Sequence, residues 1–296
     1  MISGISITCF AASYAVVLAL EISRLFFRSG VRWAVMVAVA GAGMVAHTAF
    51  LGYRAAHAQG SPLSSKEDWY LIAAWVLAGA YLWLTCLRPR NAFGVFLLPF
   101  VLGLIGVGAL LADAAPFARE PASAVWGAIH GVSLLLATVS VVGGFAAGLM
   151  YLHESSHLKH KRPPRAGLRL PSLEWLRKIN NRAMVFALQM LGLGILSGIV
   201  LNLVRRGPQS GGVAWNDPAV LGTTVMFAWL LIAVLAGWFY RPAREGRKVA
   251  YVTVVSFVFL VIVLGIGLLI DSRHGELRSR HGPQGRGPVS QGRPWA

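Results

Sequence analysis

The sequence predicts an all-α fold, a polytopic membrane protein with eight transmembrane helices and both termini outside. Of its 296 residues, 56% are hydrophobic and only 13% are charged, whereas soluble domains carry about 25% charged residues. The mean hydropathy is +0.63. The apolar residues form long blocks instead of alternating with charges, which is untypical of a soluble enzyme and typical of a chain that crosses a membrane many times.

Eight apolar blocks are predicted to span the membrane, since about 20 such residues cross the hydrocarbon core. We expect the first block to be a retained helix, because no basic segment precedes it and no A-x-A-like cleavage site clearly ends it. The blocks form one predicted membrane domain over 1–270, and the Gly-, Pro- and Arg-rich tail over 271–296 is predicted to be disordered. The eight blocks cover residues 5–20, 33–51, 69–87, 93–111, 124–152, 183–203, 221–240 and 249–270.

The formal net charge of +16 lies in the short loops between the blocks. This distribution orients membrane proteins and does not indicate a nucleic-acid-binding surface. The first, third, fifth and seventh loops hold 17 of the 27 Lys and Arg residues, so we expect those loops in the cytoplasm. The predicted location is the bacterial plasma membrane, with the lipid bilayer as a partner and no nucleic acid.

The longest predicted cytoplasmic loop covers 153–182 and is strongly basic. In its second half, Leu173, Leu176 and Ile179 share one face of a helix. An apolar face on an otherwise basic segment predicts an amphipathic helix that lies at the membrane surface.

The same loop opens with His153-Glu154-Ser155-Ser156-His157, a formal H-E-x-x-H motif. On a helix this motif places two zinc ligands one turn apart, with a glutamate as general base. A membrane zinc peptidase is therefore one function that the sequence allows. The alternative is an ordinary polar helix end whose cations interact with the helix dipole.

Several other functional motifs are missing from the sequence. The two cysteines, Cys9 and Cys86, form neither a CxxC nor a CxxCH motif, which argues against a thiol oxidoreductase and a c-type cytochrome. The sequence also contains no phosphate-binding loop and no dinucleotide fingerprint.

Two histidines lie within the predicted spans, where ionisable side chains are costly and often functional. His47 precedes Arg54 by seven residues and His130 follows Pro121 by nine, which puts them about 10 and 13 Å below the outer boundary. Imidazoles at one level suit the two axial positions of a haem b iron. The alternative is that each histidine bonds to a neighbouring helix as an ordinary polar group.

The residues one turn before each histidine are compatible with haem. Gly43 precedes His47 by four positions, and we expect it to leave room for the edge of a macrocycle. Trp126 holds the same position before His130 and is predicted to form an aromatic wall beside it.

The sixth loop, over 204–220, is predicted to lie outside and contains Trp215-Asn216-Asp217-Pro218. Tryptophan is common at membrane interfaces. Asp217 and Pro218 fit the N-cap and first position of the following helix, so residue chemistry alone favours a structural role for this loop.

Taken together, these landmarks resemble the cytochrome c assembly proteins, a family that includes CcsA, CcmC and the HemX-like proteins. The resemblance is strongest over 124–269, and the eight spans look like the HemX-like branch. The landmarks occur in the family's order: Trp126-Gly127-Ala128-Ile129-His130, Leu170-Pro171-Ser172-Leu173-Glu174, Trp215-Asn216-Asp217-Pro218, Trp229, and Gly237-Trp238.

This resemblance implies a protein that handles haem at the outer membrane surface for attachment to apocytochromes c. His130 matches a family histidine, and Trp215, Asp217 and Pro218 match remnants of the family's tryptophan-rich haem-binding loop. Paired by their depth in the spans, His47 and His130 are the expected axial ligands. The expected outer surface that presents haem consists of Trp215, Asp217 and Trp229.

Two departures from the family pattern concern its haem-binding loop. Asn216 stands where the family often has a tryptophan, and the span over 221–240 has no histidine. A non-catalytic HemX-type regulator is therefore the second hypothesis. It would engage a cytochrome c assembly partner subunit, or a haem-biosynthesis partner, through the loop over 153–182.

Overall fold

In the computed structural model, every regular element among the described residues is a helix. The structure describes residues 6–24, 26, 31–57, 65–89, 91–114, 121–160, 168–204, 215–239 and 246–269, and no strand occurs among them. Its helices correspond to the eight predicted blocks: α1 (Ile7–Ser23), α2 (Arg32–His57), α3 (Lys66–Leu87), α4 (Gly94–Leu111), α5 (Pro121–Lys159), α6 (Leu173–Val204), α7 (Pro218–Phe239) and α8 (Gly246–Leu269).

Six of these helices, α2 to α7, contain stretches long and apolar enough to cross a membrane, which indicates a multi-pass membrane protein. A helix satisfies its own backbone hydrogen bonds, as the hydrocarbon core requires. Large apolar side chains are exposed on the outside of the helices, among them Val45, Leu196 and Ile232. In water these side chains would be unfavourable, whereas lipid tails solvate them.

The helices pack as two groups of four that meet along α5. In the first group α1 contacts α2 and α4, and α3 contacts α2 and α4. In the second group α5 contacts α6 and α8, and α7 contacts α6 and α8. Contacts of α5 with α3 and α4 join the two groups.

Glycines allow α5 and α6 to approach closely. A Cβ at Gly144 would lie 2.6 Å from Cε of Met184, and one at Gly194 would lie 2.7 Å from Cδ2 of Leu134. Small residues of this kind are the usual means by which helices pack in lipid, where no hydrophobic effect drives them together.

Polar contacts join the end of α1 to the connection between α3 and α4. The Arg24 guanidinium donates hydrogen bonds to the carbonyl oxygens of Pro89 (3.0 Å) and Asn91 (3.2 Å), in the connection between α3 and α4. Glu21 is fully buried and accepts a hydrogen bond from the Tyr81 hydroxyl at 3.3 Å. We call this the basic end of the bundle.

The opposite end has its own set of polar contacts. Arg54, near the end of α2, pairs with Glu67 and Asp68 in the first turn of α3, each at 3.0 Å. Ser65 and Asp68 form a capping box at the start of that helix. The ion pairs hold the end of α2 against the start of α3.

The structure corrects the predicted surface helix within 153–182. Helix α5 extends to Lys159, and residues from Leu173 onward are the first turns of α6. Leu176 is fully buried, so the apolar face of this segment packs against the bundle. Residues 161–167 and 205–214 and the predicted disordered tail over 271–296 lie outside the described residues.

Replacement of Gly131 by alanine is expected to destabilise the junction between the two groups of helices. A Cβ there would lie 2.7 Å from two ring carbons of Trp69, whereas nothing lies within 4 Å of a Cβ at Gly127. Overpacking of this kind costs about 1–3 kcal/mol. Thermal unfolding in detergent should show a lower midpoint for Gly131→Ala and not for the matched control Gly127→Ala. Equal midpoints for the two variants would contradict the packing described.

Candidate functional site

His47 is enclosed between α1 and α2 and is fully buried. The Phe10 ring stacks on its imidazole, with centroids 4.0 Å apart and planes 5° apart. The Tyr14 hydroxyl lies 3.5 Å from Nδ1, and Nε2 has no hydrogen-bond partner among the described residues. An unsatisfied buried polar atom costs about 1–3 kcal/mol, so Nε2 is a place where a ligand or an ordered water would be stabilising.

Gly43 does not provide the space predicted for a macrocycle. A Cβ at this position would lie 2.9 Å from Cβ of Ser13 and 3.3 Å from Cε1 of Tyr14. The glycine therefore permits close packing of α1 on α2, and the sequence-based expectation is corrected because α1 occupies that space.

His130 is held against α6 by a short hydrogen bond. Its Nδ1 lies 2.7 Å from the carbonyl oxygen of Gly194. A carbonyl only accepts, so Nδ1 carries a proton, and in the neutral ring Nε2 carries the lone pair. A Cβ at Gly198 would lie 3.0 Å from Cε1 of the ring, so this glycine makes room for the imidazole. A histidine fixed in this way by a backbone carbonyl is typical of metal-ligating imidazoles.

The two histidines belong to different groups of helices. His47 lies ten residues before the end of α2 and His130 nine residues after the start of α5, about 15 and 14 Å along their helices. A common level for the two imidazoles in the membrane stays a prediction. Their faces differ, since His47 packs against α1 and His130 against α6. Ligation of one haem by both stays a prediction, and it requires α1 and α2 to repack around His47.

Asp217 forms the predicted N-cap of α7. The helix begins at Pro218, and the Asp217 carboxylate accepts a hydrogen bond from the backbone N–H of Ala219 at 2.9 Å. Trp215 lies in the preceding turn with 51% of its surface exposed. The prediction of this cap is therefore confirmed, and the exposed Trp215 lies two residues before it.

Trp126 and Trp229 occupy different environments. Trp126 is 38% exposed near the start of α5. Trp229 lies eleven residues into α7, about 16 Å along it, and donates a hydrogen bond to Oγ of Ser256 at 3.0 Å. The expectation that Trp229 lines the outer surface is corrected. The side chain lies in the middle of α7, and its indole N–H donates to a residue of α8, the neighbouring helix.

The H-E-x-x-H motif forms the polar end of α5. The His153 and His157 rings lie one turn apart, with centroids 4.6 Å apart. Within the described part of the chain, no group of three or more His, Cys, Asp or Glu side chains is placed to hold a metal ion. The third ligand that a catalytic zinc site needs is therefore not provided by these residues.

Sequence reasoning missed Glu21 and the region around Lys66 and Trp69. Glu21 directly follows the first apolar block, and its position within four residues of Arg24 was a usable signal for a buried ion pair. Lys66 and Trp69 lie in the first turn of α3 and line a cavity. This cavity could not be predicted from the sequence, because it forms only where several helices pack together.

Comparisons with protein-family models, with characterised proteins and with solved structures yield no match to this chain. The resemblance to cytochrome c assembly proteins therefore rests on the order of the motifs.

The Asp217 cap gives a direct test of its role. Asp217→Ala should lower the free energy of unfolding by about 0.5–2 kcal/mol, the usual cost of a lost N-cap. Asp217→Asn should retain most of the stability because an amide oxygen also caps. Denaturant unfolding of both purified variants measures this difference. A loss in the asparagine variant as large as in the alanine variant would show that the carboxylate charge, and not the cap, is what matters.

Proposed function

We propose that the protein is a haem-binding or haem-handling membrane protein of cytochrome c-type biogenesis, which presents haem b at the outer face. The observation that carries this proposal is the orientation of His130, whose Nδ1–H donates a hydrogen bond to the Gly194 carbonyl. In the neutral ring Nε2 is then the nitrogen that would bind an iron. The order of the landmarks from Trp126 to Trp238 supports it.

The residues fit haem to different extents. His130 has the fixed orientation that an axial ligand needs, because its Nδ1–H donates to the Gly194 carbonyl. His47 has a buried nitrogen without a described partner, and in the proposal it is the second axial ligand once its helices repack. Haem is the cargo in this proposal, and the protein's part is to bind it, orient it and expose one edge beside Trp215.

The proposed topology has eight spans, with both termini outside a bacterial plasma membrane. Charge distribution supports it, because loops at the basic end hold 17 of the 27 Lys and Arg residues. With this orientation Trp215 and the ends of α2 and α4 lie on the outer side.

Cysteine labelling tests this orientation. After removal of Cys9 and Cys86, a single cysteine at exposed Ala114 should react with a membrane-impermeant maleimide in intact cells. A cysteine at exposed Ser156 should react only after lysis, because it lies at the opposite end of α5. The reverse pattern would contradict the proposed orientation.

An absorption spectrum tests the haem proposal. Protein purified after haem-replete expression should show a Soret band, and His130→Ala should abolish it because the fixed axial ligand is lost. His47→Ala should shift the band from a six-coordinate to a five-coordinate form, because only one imidazole then remains.

Gly198→Ala is an intermediate variant. It keeps the imidazole nitrogens but crowds the His130 ring, so the Soret band should become weaker without disappearing. Absence of a Soret band in the wild-type protein would overturn the proposal. An unchanged band in His47→Ala would overturn the paired ligation alone.

The regulator hypothesis is favoured by the length of α5. Its 39 residues extend about 58 Å at 1.5 Å each, whereas a membrane with its headgroups is about 40–45 Å thick. Helix α5 is therefore long enough for its end at Lys159 to project from the membrane. Arg177 and Lys178 lie in the first two turns of α6 on the same side, and a partner subunit would have access to them there. If this is the main role, reversing both charges abolishes cytochrome c maturation while His130→Ala leaves it intact.

A further inference from the structure

A cleft lies between α3 and α4 of the first group of helices and α5 and α8 of the second. It consists of two cavities of about 300 and 250 Å³. Tyr70, Leu104, Thr138 and Leu264 line both of them, so the two cavities adjoin. The larger one is at the lower end of the volume range of small-molecule sites.

The cleft is long and narrow. Its lining on α4 runs from Pro99 to Val107 and on α8 from Phe257 to Gly265, about 12 Å along each helix. On α3 it begins at Lys66, close to the end of α4, because the Glu67 N–H donates to the Asp113 carbonyl at 3.2 Å. Along α4, the distance from its last residue, Leu111, to Pro99 is about 18 Å. This depth exceeds half of the roughly 30 Å hydrocarbon core.

The lining has little capacity to hold water. Apart from Lys66 at one end, it is almost entirely aliphatic and aromatic. The Thr138 hydroxyl already donates to the Leu134 carbonyl within α5, at 2.9 Å. Tyr70, which also lines both cavities, brings the second hydroxyl to the middle of the cleft. A buried water needs two to four polar partners, so two hydroxyls, one of them already bonded, would hold few waters along this length.

Two glycines form part of the wall without serving helix packing. No atom lies within 4 Å of a Cβ placed at Gly103 or at Gly265, and both residues line the cleft. This differs from Gly194 and Gly144, where a neighbouring helix fills the space. The missing side chains at Gly103 and Gly265 therefore widen the cleft, and inside a bilayer such space is filled by lipid chains.

The ends of the cleft differ in charge. Lys66 is the charged residue of its lining, and it is the first residue of α3, a helix long enough to span a membrane. The end of a spanning helix is expected near the lipid headgroups. Trp69, one turn further along α3, also lines this end, and tryptophan is favoured at the headgroup level. An ammonium group above an apolar slot is complementary to a phosphate that carries a hydrocarbon chain.

We propose that this cleft is a binding site for one acyl chain of a membrane phospholipid, whose phosphate is bound by the Lys66 ammonium. The chain lies along α4 and α8 and fills the space beside Gly103 and Gly265. Because α3 and α4 belong to one group of helices and α5 and α8 to the other, the lipid also joins the two groups. The site is independent of haem binding at His130.

Lipid retention measured by native mass spectrometry tests this proposal. The full-length protein is reconstituted in bilayer discs of phosphatidylglycerol and phosphatidylethanolamine and then released into the gas phase. The double variant Gly103→Leu/Gly265→Leu fills the cleft and is expected to lose one retained phospholipid. Gly106→Leu is the matched control, because a Cβ at Gly106 also meets open space but this residue does not line the cleft.

Lys66 gives a second and milder test. Lys66→Ala should lower the occupancy of the retained phospholipid about tenfold, which corresponds to about 1.4 kcal/mol of binding free energy. Lys66→Arg keeps the charge and should retain the lipid. Circular dichroism confirms that each variant keeps the helical content of the wild type.

The proposal is overturned if the cleft-filled variant retains as many phospholipids as the wild type, or if Gly106→Leu loses the same lipid. It is also overturned if the molecule that the wild type retains and the filled variant loses is a tetrapyrrole, since the cleft would then be the haem site.

Discussion

The close approach of α5 and α6 is the constraint on which the candidate site depends. Lipid tails are as apolar as the helices, so association relies on tight packing and on the few hydrogen bonds available between helices. Gly144 and Gly194 remove the side chains that would separate the pair. The backbone carbonyl of Gly194 is thereby close enough to accept from His130, and the histidine acquires one protonation state and one orientation.

The second group of helices thus positions His130, and the first group is organised by polar contacts at its ends. At the basic end, Arg24 and the buried Glu21 connect α1 to the α3–α4 connection. At the opposite end, Arg54 connects α2 to the acidic first turn of α3. These contacts hold the first group together, whereas the boundary between the two groups, along α3, α4, α5 and α8, contains two cavities. The cleft that we propose as a phospholipid site lies at this boundary.

The helices themselves were predictable because hydrophobic length is a local property. All eight blocks became helices, and the Asp217-Pro218 cap was identified from two adjacent residues because capping is local chemistry. The contacts between helices were not predictable in this way.

Gly43 and Trp229 illustrate what depends on neighbours. Gly43 is contacted by Ser13 of α1, and Trp229 donates to Ser256 of α8. Both partners are distant in sequence, and no periodicity within one helix identifies them. For the same reason the start of α6 was expected to be a surface helix, since an apolar face looks alike whether it meets lipid headgroups or another helix.

The most direct test of the account is the haem content of the intact, purified protein, determined as a pyridine haemochrome after haem-replete expression. We expect one haem b for each chain. This haem should be removable by solvent extraction, because the sequence has no CxxCH motif to which it could be covalently attached. We also expect that this content falls to the background level in His130→Ala. A wild-type protein without haem, or a His130→Ala protein with the full amount, would contradict the account.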